Sequence, residues 1–244
     1  MKTNLDKLKV YIWTSNRQMM CLPAWSYLFN EFWPIKVEVG VVGYDLPTFE
    51  LPDNIKYHSL GKQRGPEYWS NDMIDFFSDK KDEIFYLTTE DGFIVKPINK
   101  ELLQFITDFV LINKNDSFLR FGLTSDVQKR THTILESSED FQVIMSDQNA
   151  DYRSSLQHSI WYGKTFVELL NNNETPWKFE TDGRFKNNKM NVFATKGLYA
   201  IHCGHGYKRG KKIKNWYDDS NDSKLRLDTH HIEIINNKNW VPEL

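Results

Sequence analysis

The 244-residue chain is 40% hydrophobic and nearly neutral, with a formal charge of −2, so it has the length and apolar content to bury the core of one larger domain. The charge balance argues against nucleic acid, a polyanion usually met by a strongly basic surface. No run of about 18 apolar residues is present to span a bilayer, and the start, MKTNLDKLKVYIW, has no apolar leader region, so a cytoplasmic protein is expected.

Lys9 to Thr14 (KVYIWT) is β-branched and aromatic and predicts a buried strand, ending in the polar turn Ser15-Asn16-Arg17. Pro23 to Phe32 has helical spacing with Pro34 as a stop. Val37 to Val42 predicts a second strand closing on Gly43-Tyr44-Asp45, and Ile55 to Leu60 a third, followed by Gly61-Lys62-Gln63-Arg64-Gly65. Glu67 to Phe77 predicts a helix with Trp69, Met73, Ile74 and Phe77 on one face. Glu83 to Thr88 predicts a fourth strand that runs into Thr89-Glu90-Asp91-Gly92. Strand alternating with helix predicts a mostly parallel sheet flanked by helices. Ligands of such sheets sit at the carboxyl ends of the strands, where these four polar tips fall.

The second half is less regular. A helix is predicted over Lys100 to Val110 and strands over Phe118 to Leu123 and Phe141 to Met145. Ser155 to Leu170 has the clearest amphipathic helix pattern, with Gly163 as a possible break. Short strands are predicted over Met190 to Ala194 and Tyr199 to His202, and His230-His231 falls in a predicted tail strand. No repeat or linker divides the chain. One domain is expected, with a donor-binding half over about 1–110, an acceptor half over about 111–215 and a polar tail over 216–244.

Several features bear on chemistry. Glu90-Asp91 at a strand end pairs two carboxylates that become useful when a hard divalent cation shares them with a diphosphate, although acidic turns are also common as solvated caps. In Trp177-Lys178-Phe179-Glu180-Thr181-Asp182, either Glu180 or Asp182 could act as a general base, because flanking apolar groups raise a carboxyl pKa. The other reading of that stretch is an anchored loop with its acids in water. His202-Cys203-Gly204-His205-Gly206-Tyr207-Lys208-Arg209-Gly210-Lys211 combines glycines with cations and could hold phosphate; His202 or His205 could ligate a metal. Arg17 and Arg64 are further phosphate candidates near strand ends. Cys21 and Cys203 match no metal spacing and fit a reduced protein, with one disulfide the alternative. Neither cysteine nor any serine lies in a nucleophile motif. The eight tryptophans suit both a core and sugar-stacking platforms.

Taken in order, VYIWTSNR, EYWSNDMIDFF, IFYLTTEDGFIVKPIN, YRSSLQHSIWYGKTFVELLNNNETPWKFE and IHCGHGYKRGK resemble the GT-A glycosyltransferases, particularly small bacterial and viral sugar transferases. The resemblance spans roughly residues 8 to 215. It implies a Rossmann-like α/β fold with a smaller antiparallel acceptor-side region, and transfer of a sugar from a nucleoside-diphosphate donor to a hydroxyl of a glycan acceptor. Thr14, Ser15, Asn16 and Arg17 would lie by the base and ribose, with Tyr44, Arg64 and Trp69 nearby. Glu90, Asp91, Lys208 and Arg209 would hold the donor diphosphate. Asp91, with His202, would contact a divalent cation, Mn²⁺ or Mg²⁺. Glu180 would activate the acceptor in a single inverting displacement, and Tyr152, Ser154, Gln157, Trp177 and Asp182 would shape the acceptor pocket. Glu90-Asp91-Gly92 departs from the family's Asp-x-Asp pattern, which leaves the metal requirement open. The alternatives are a nucleotidyltransferase that makes a nucleotide sugar, although TSNRQMM lacks the phosphate-cradling glycines expected of one, and a carbohydrate-binding relative without activity.

Overall fold

The computed structural model describes residues 4–208, 211–220, 222 and 224–243. In chain order the main elements are β1 (Leu8–Trp13), α1 (Leu22–Phe32), β2 (Val39–Gly43), β3 (Ile55–Ser59), α2 (Trp69–Phe77), β4 (Ile84–Thr89) and β5 (Gly92–Ile94). There follow α3 (Lys100–Asn113), β6 (Phe118–Gly122), β7 (His132–Ser137), β8 (Gln142–Ser146), β9 (Ser159–Tyr162), α4 (Gly163–Leu169) and α5 (Pro176–Thr181). The chain continues through β10 (Asn191–Lys196), β11 (Cys203–His205), β12 (Tyr207–Lys208), β13 (Lys211–Lys212) and α6 (Thr229–Asn237). The class is mixed α/β, as the alternation in the first half predicts. No helix among the described residues is long and apolar enough to cross a membrane. Internal contacts divide the chain into two compact units: residues 10–63, 88–100 and 200–244, and residues 1–9, 64–87 and 101–199.

In the first unit the strand order is β3-β2-β1, all parallel, with Val10 opposite Val39 and Val39 opposite Ile55. Parallel pairing brings the carboxyl ends of the three strands to the same edge. All five residues of β2 are buried, which is why it reads as an unbroken apolar run. At its end Gly43 is required by close approach: a Cβ there would lie 2.2 Å from the Tyr57 hydroxyl oxygen and 2.7 Å from the Thr14 methyl. Helix α1 carries Trp25 and Phe29, and Trp33 follows as its C-cap at the same four-residue spacing, so the rings stack at 4.8 and 4.7 Å. Pro23 sits in its first turn, where the missing N–H removes no bond. Strand β5 pairs antiparallel with β11, and β12 with β13. The histidine pair expected in a tail strand lies instead in helix α6, where Ile232 and Ile235 are buried at helical spacing.

In the second unit the order is β4-β9-β6-β10-β8-β7. The β6–β10 pair is parallel and the other pairs are antiparallel. The helix expected over Ser155 to Leu170 is corrected here: Ser159–Tyr162 forms β9 between β4 and β6, and only Gly163–Leu169 is helical. A central strand buries both faces, so Ile160 and Trp161, both fully buried, show no alternation by which to tell strand from helix. The expected strand at Tyr199 to His202 also shifts, to Cys203–His205 in the first unit. Phe77 and Phe85 stack at 4.5 Å, and Phe166 meets both edge-on. Phe179 joins this cluster through Trp69, Trp161, Phe166 and Phe185.

Gly163 marks the corner between β9 and α4. Its N–H donates to the Glu83 carbonyl at 2.9 Å, and a Cβ would stand 2.2 Å from the Lys80 carbonyl oxygen. Backbone cannot withdraw as a side-chain tip can. Gly163→Ala is therefore expected to destabilise the protein by about 1–3 kcal/mol, read as a lower urea midpoint at unchanged slope; an unchanged midpoint would mean that the corner relaxes freely.

Candidate functional site

The polar tips of the first unit come together through side chains. The Asn16 N–H donates to Gln63 Oε1 at 3.0 Å, its side-chain amide donates to Asp45 Oδ2 at 2.7 Å, and the Asp45 N–H returns a bond to Asn16 Oδ1 at 3.0 Å. One asparagine thus ties the ends of β1, β2 and β3. The Ser15 N–H donates to Glu90 Oε1 at 3.3 Å, which brings the acidic turn to the same edge. Thr14 is fully buried and its N–H donates to the Val42 carbonyl. Arg17 is exposed, whereas Tyr44 is buried and accepts from Ser59 through its carbonyl.

Glu90 is wholly buried, and its second oxygen, Oε2, has no hydrogen-bond partner. Burial, and then the adjacent Asp91 charge, push its carboxyl up to about 8, against the hydrogen bonds from Ser15 and Thr14. It is therefore largely neutral at pH 7. Asp91 is half-buried and accepts from the Thr89 hydroxyl at 2.8 Å. The folded carboxyl of Glu90 lies above its unfolded value of 4.5, so the native state holds the extra proton between those limits, and stability falls as pH rises from about 4.5 to 8. Glu90→Gln lacks this titration. Its stability relative to the parent is expected to rise by a few kcal/mol across that window, seen as diverging melting temperatures; parallel curves would contradict the burial argument.

The glycine and lysine segment reaches the acidic turn through the β5–β11 ladder. His205 stands opposite Gly92, and the Gly206 N–H donates to the Asp91 carbonyl at 2.8 Å. A Cβ on Gly206 would lie 2.9 Å from the Phe93 ring and 3.6 Å from Asp91 Cβ. The Val95 N–H donates to the His202 carbonyl, so His202 is four ladder steps from the Asp91 position, about 13 Å along the strand. His205, not His202, is the histidine near Asp91. His202 Nδ1 instead lies 3.3 Å from Asp219 Oδ2. Among the described residues no group of three or more His, Cys, Asp or Glu side chains gathers to hold a metal. Lys208 is exposed on β12, and Arg209 lies outside the described residues. Both cysteines are buried thiols outside any disulfide.

In the second unit Glu180 lies in the last turn of helix α5. Thr175 caps that helix by accepting from the Lys178 N–H at 3.0 Å, Pro176 opens it, and Phe179 anchors it in the aromatic core. Below it, Glu174 is fully buried and paired with Arg184, which closes the loop. Asp182 caps the following turn by accepting from the Arg184 N–H at 2.8 Å, a structural engagement that distinguishes it from Glu180. Glu180 Oε1 accepts from the Leu156 N–H at 2.7 Å and the Ser155 hydroxyl at 3.3 Å. Burial raises its pKa, opposed by those bonds and by the Arg120 charge.

Ser154 is buried and donates to the Phe179 carbonyl at 2.6 Å, so it fastens this segment to α5. Gln157 is exposed. Tyr152 is 48% exposed and holds a left-handed backbone with φ 55°, with Arg130 5.0 Å from its ring centroid. Trp177 is 64% exposed beside Glu180 in the chain. Two expected donor neighbours, Trp69 and Arg64, make contacts within the second unit. Trp69 is buried 5.6 Å from Phe179. Arg64 pairs with Asp72 at 2.6 Å and lies over Tyr68.

Sequence reasoning placed Asp45 and Gln63 in the polar tips without singling them out as the partners of Asn16. It missed Arg120, which is 1% exposed. A charge inside the apolar strand FLRFG was the available signal for Arg120, since arginine is rarely buried without partners.

No protein-family model matches the chain, and no curated protein matches it. Solved structures do. A197 from STIV shares 11% identity with it, over 91% of this chain and 96% of that one, at a TM-score of 0.45. A cytidylyltransferase from Leptospira borgpetersenii serovar Hardjo-bovis (strain JB197) shares 12%, over 97% of each chain, at 0.46. The CMP:2-keto-3-deoxy-manno-octonic acid synthetase complexed with CTP shares 8%, over 80% of this chain and 91% of that one, at 0.37.

Proposed function

We propose that the protein is a nucleotide-sugar-dependent glycosyltransferase. The observation that supports it best is the convergence of the tips of β1, β2 and β3 with the Glu90-Asp91 turn at one edge of parallel strands, joined by Asn16 and Ser15. Ligands of α/β proteins bind at such edges. In this reading Ser15, Asn16 and Arg17 hold the nucleoside, and Lys208 meets the diphosphate as a point charge. By the resemblance to GT-A enzymes, Glu180 would take the proton from an acceptor hydroxyl, whose oxygen would attack the anomeric carbon as the nucleoside diphosphate leaves with the bonding pair.

The acidic turn suits a divalent cation in chemical type: Asp91 supplies a carboxylate, and Glu90, next to it in the chain, carries a buried oxygen, Oε2, with no hydrogen-bond partner. Asp91 would be its protein ligand, with Glu90 held neutral behind it. When bound, such an ion neutralises charge on the diphosphate.

The experiment is a panel of nucleoside-diphosphate sugars, scored by thermal shift and by product. One donor at about 100 times its Kd should add roughly 2.7 kcal/mol of stability, and an acceptor should then release nucleoside diphosphate. Pyrophosphate released from a nucleoside triphosphate and a sugar phosphate would establish nucleotidyl transfer instead. Stabilisation by sugars alone, with no nucleotide effect, would leave a binding protein. Activity that survives EDTA would remove the cation.

A further inference from the structure

The first unit has a cavity of about 470 Å³ that the proposed reaction does not use. Its lining includes Tyr27, Asn30 and Glu31 of α1, Glu50 and Leu51 ahead of β3, and Trp240 after α6. Asn54 immediately precedes β3, while Gly61 to Gln63 follow it. The cavity therefore opens toward the amino end of β3. The nucleotide-side tips stand at the carboxyl end, about 17 Å of strand away.

Its walls are ordered by interactions that involve no ligand. The Tyr27 hydroxyl is hydrogen-bonded to His231 Nδ1 at 2.7 Å, and its ring meets Trp240 at 5.8 Å between centroids, tilted by 52°. The Trp240 N–H donates to the Ile235 carbonyl at 3.1 Å, and the Tyr207 hydroxyl holds the Pro242 carbonyl at 2.5 Å. Reciprocal amide bonds of 3.2 and 2.8 Å join Asn30 to Asn54 at one end. Tyr27 and Trp240 are half-buried, with Glu31 and Glu50 exposed at the rim. No lysine, arginine or histidine is among the lining residues.

Two aromatic rings meeting at an angle, with two carboxylates and no lining cation, form a pocket complementary to positive charge on an apolar body. We propose that this cavity binds an organic ammonium ion of the choline or alkylammonium type. The rings attract the cation through their quadrupoles, best at tryptophan, and Glu31 and Glu50 add Coulomb attraction at the rim. Leu51, Pro23 and Pro52 would cover the alkyl groups. The volume falls within the range of small-ligand sites.

The test uses the intact protein and choline chloride, with sodium chloride at matched ionic strength as the reference. Binding is followed by NMR at the Trp240 indole N–H, assigned with Trp240→Phe. A saturable shift with choline and none with sodium is expected. The uncharged isostere 3,3-dimethylbutanol should bind about tenfold more weakly. The double variant Glu31→Gln/Glu50→Gln alters only exposed rim residues and should lose a comparable factor while its thermal melting stays that of the parent. Absence of a saturable shift, equal binding of the neutral isostere, or unchanged affinity in the double variant would each overturn the proposal.

Discussion

Glu180→Gln is expected to slow sugar transfer by about 10²–10⁴-fold while leaving stabilisation by the donor unchanged. Leu156 and Ser155 both bind Oε1, so the glutamine carbonyl can keep that geometry and only the proton acceptor is lost. A base works in its ionised form. Because burial raises the Glu180 pKa, parent activity should fall as pH drops through that raised value, and the variant should lack this limb. The sign for stability runs the other way: an acid with a raised folded pKa destabilises the native state once ionised. The uncharged glutamine should therefore be at least as stable at neutral pH, so slow turnover would not reflect unfolding. Single-turnover rates with a saturating donor decide the point, and unimpaired turnover would remove Glu180 from the reaction.

The second large effect concerns Arg120. Its guanidinium donates to the Arg153 carbonyl at 2.9 Å, the Ser159 hydroxyl at 2.8 Å, Asp126 Oδ2 at 2.8 Å and the Tyr152 carbonyl at 3.4 Å. Arg120→Met would leave the nearly buried Asp126 carboxylate and several acceptors unpaired. Breaking a buried pair this way costs about 3–5 kcal/mol, which for a chain of this size lowers the melting temperature by roughly 6–20 °C. The desolvation of the abandoned charge is the main term, so adding Asp126→Asn should recover part of the loss. A double-mutant cycle measures that coupling. A loss under about 1 kcal/mol, the level of an exposed ion pair, would show that water reaches the network.

The segment Tyr152 to Gln157 links the two predictions. Arg120 binds its backbone from one side through the Tyr152 and Arg153 carbonyls, and Glu180 binds it from the other through Ser155 and Leu156. Loosening Arg120 should therefore also disturb the anchoring of the Glu180 carboxylate, beyond the loss of a nearby positive charge that favours its ionised form.

Much of the first half was legible from local pattern. Apolar runs bounded by polar turns located β1, α1, β2, β3, α2 and β4 to within a few residues. The habit of α/β sheets then directed attention to Ser15, Asn16 and Glu90, which hydrogen bonds do bring to one edge. The second half was harder to read. SIWY in β9 lies between two strands and buries both faces, so its helical spacing carried no information about the partner that binds it.

What the amino-acid sequence alone determined was the alternation of strand and helix and the polar tips at the strand ends, because each depends on residues within a turn or two of one another. Tertiary structure alone decided that a remote amide, the Leu156 N–H, holds Glu180, and which histidine stands near Asp91. It also decided that Trp69 belongs to the core and that Arg120 is buried. Those outcomes depend on ladder register and on partners far away in the chain, where one ladder step or one distant acceptor changes the charge state and exposure of a side chain without altering the local pattern around it.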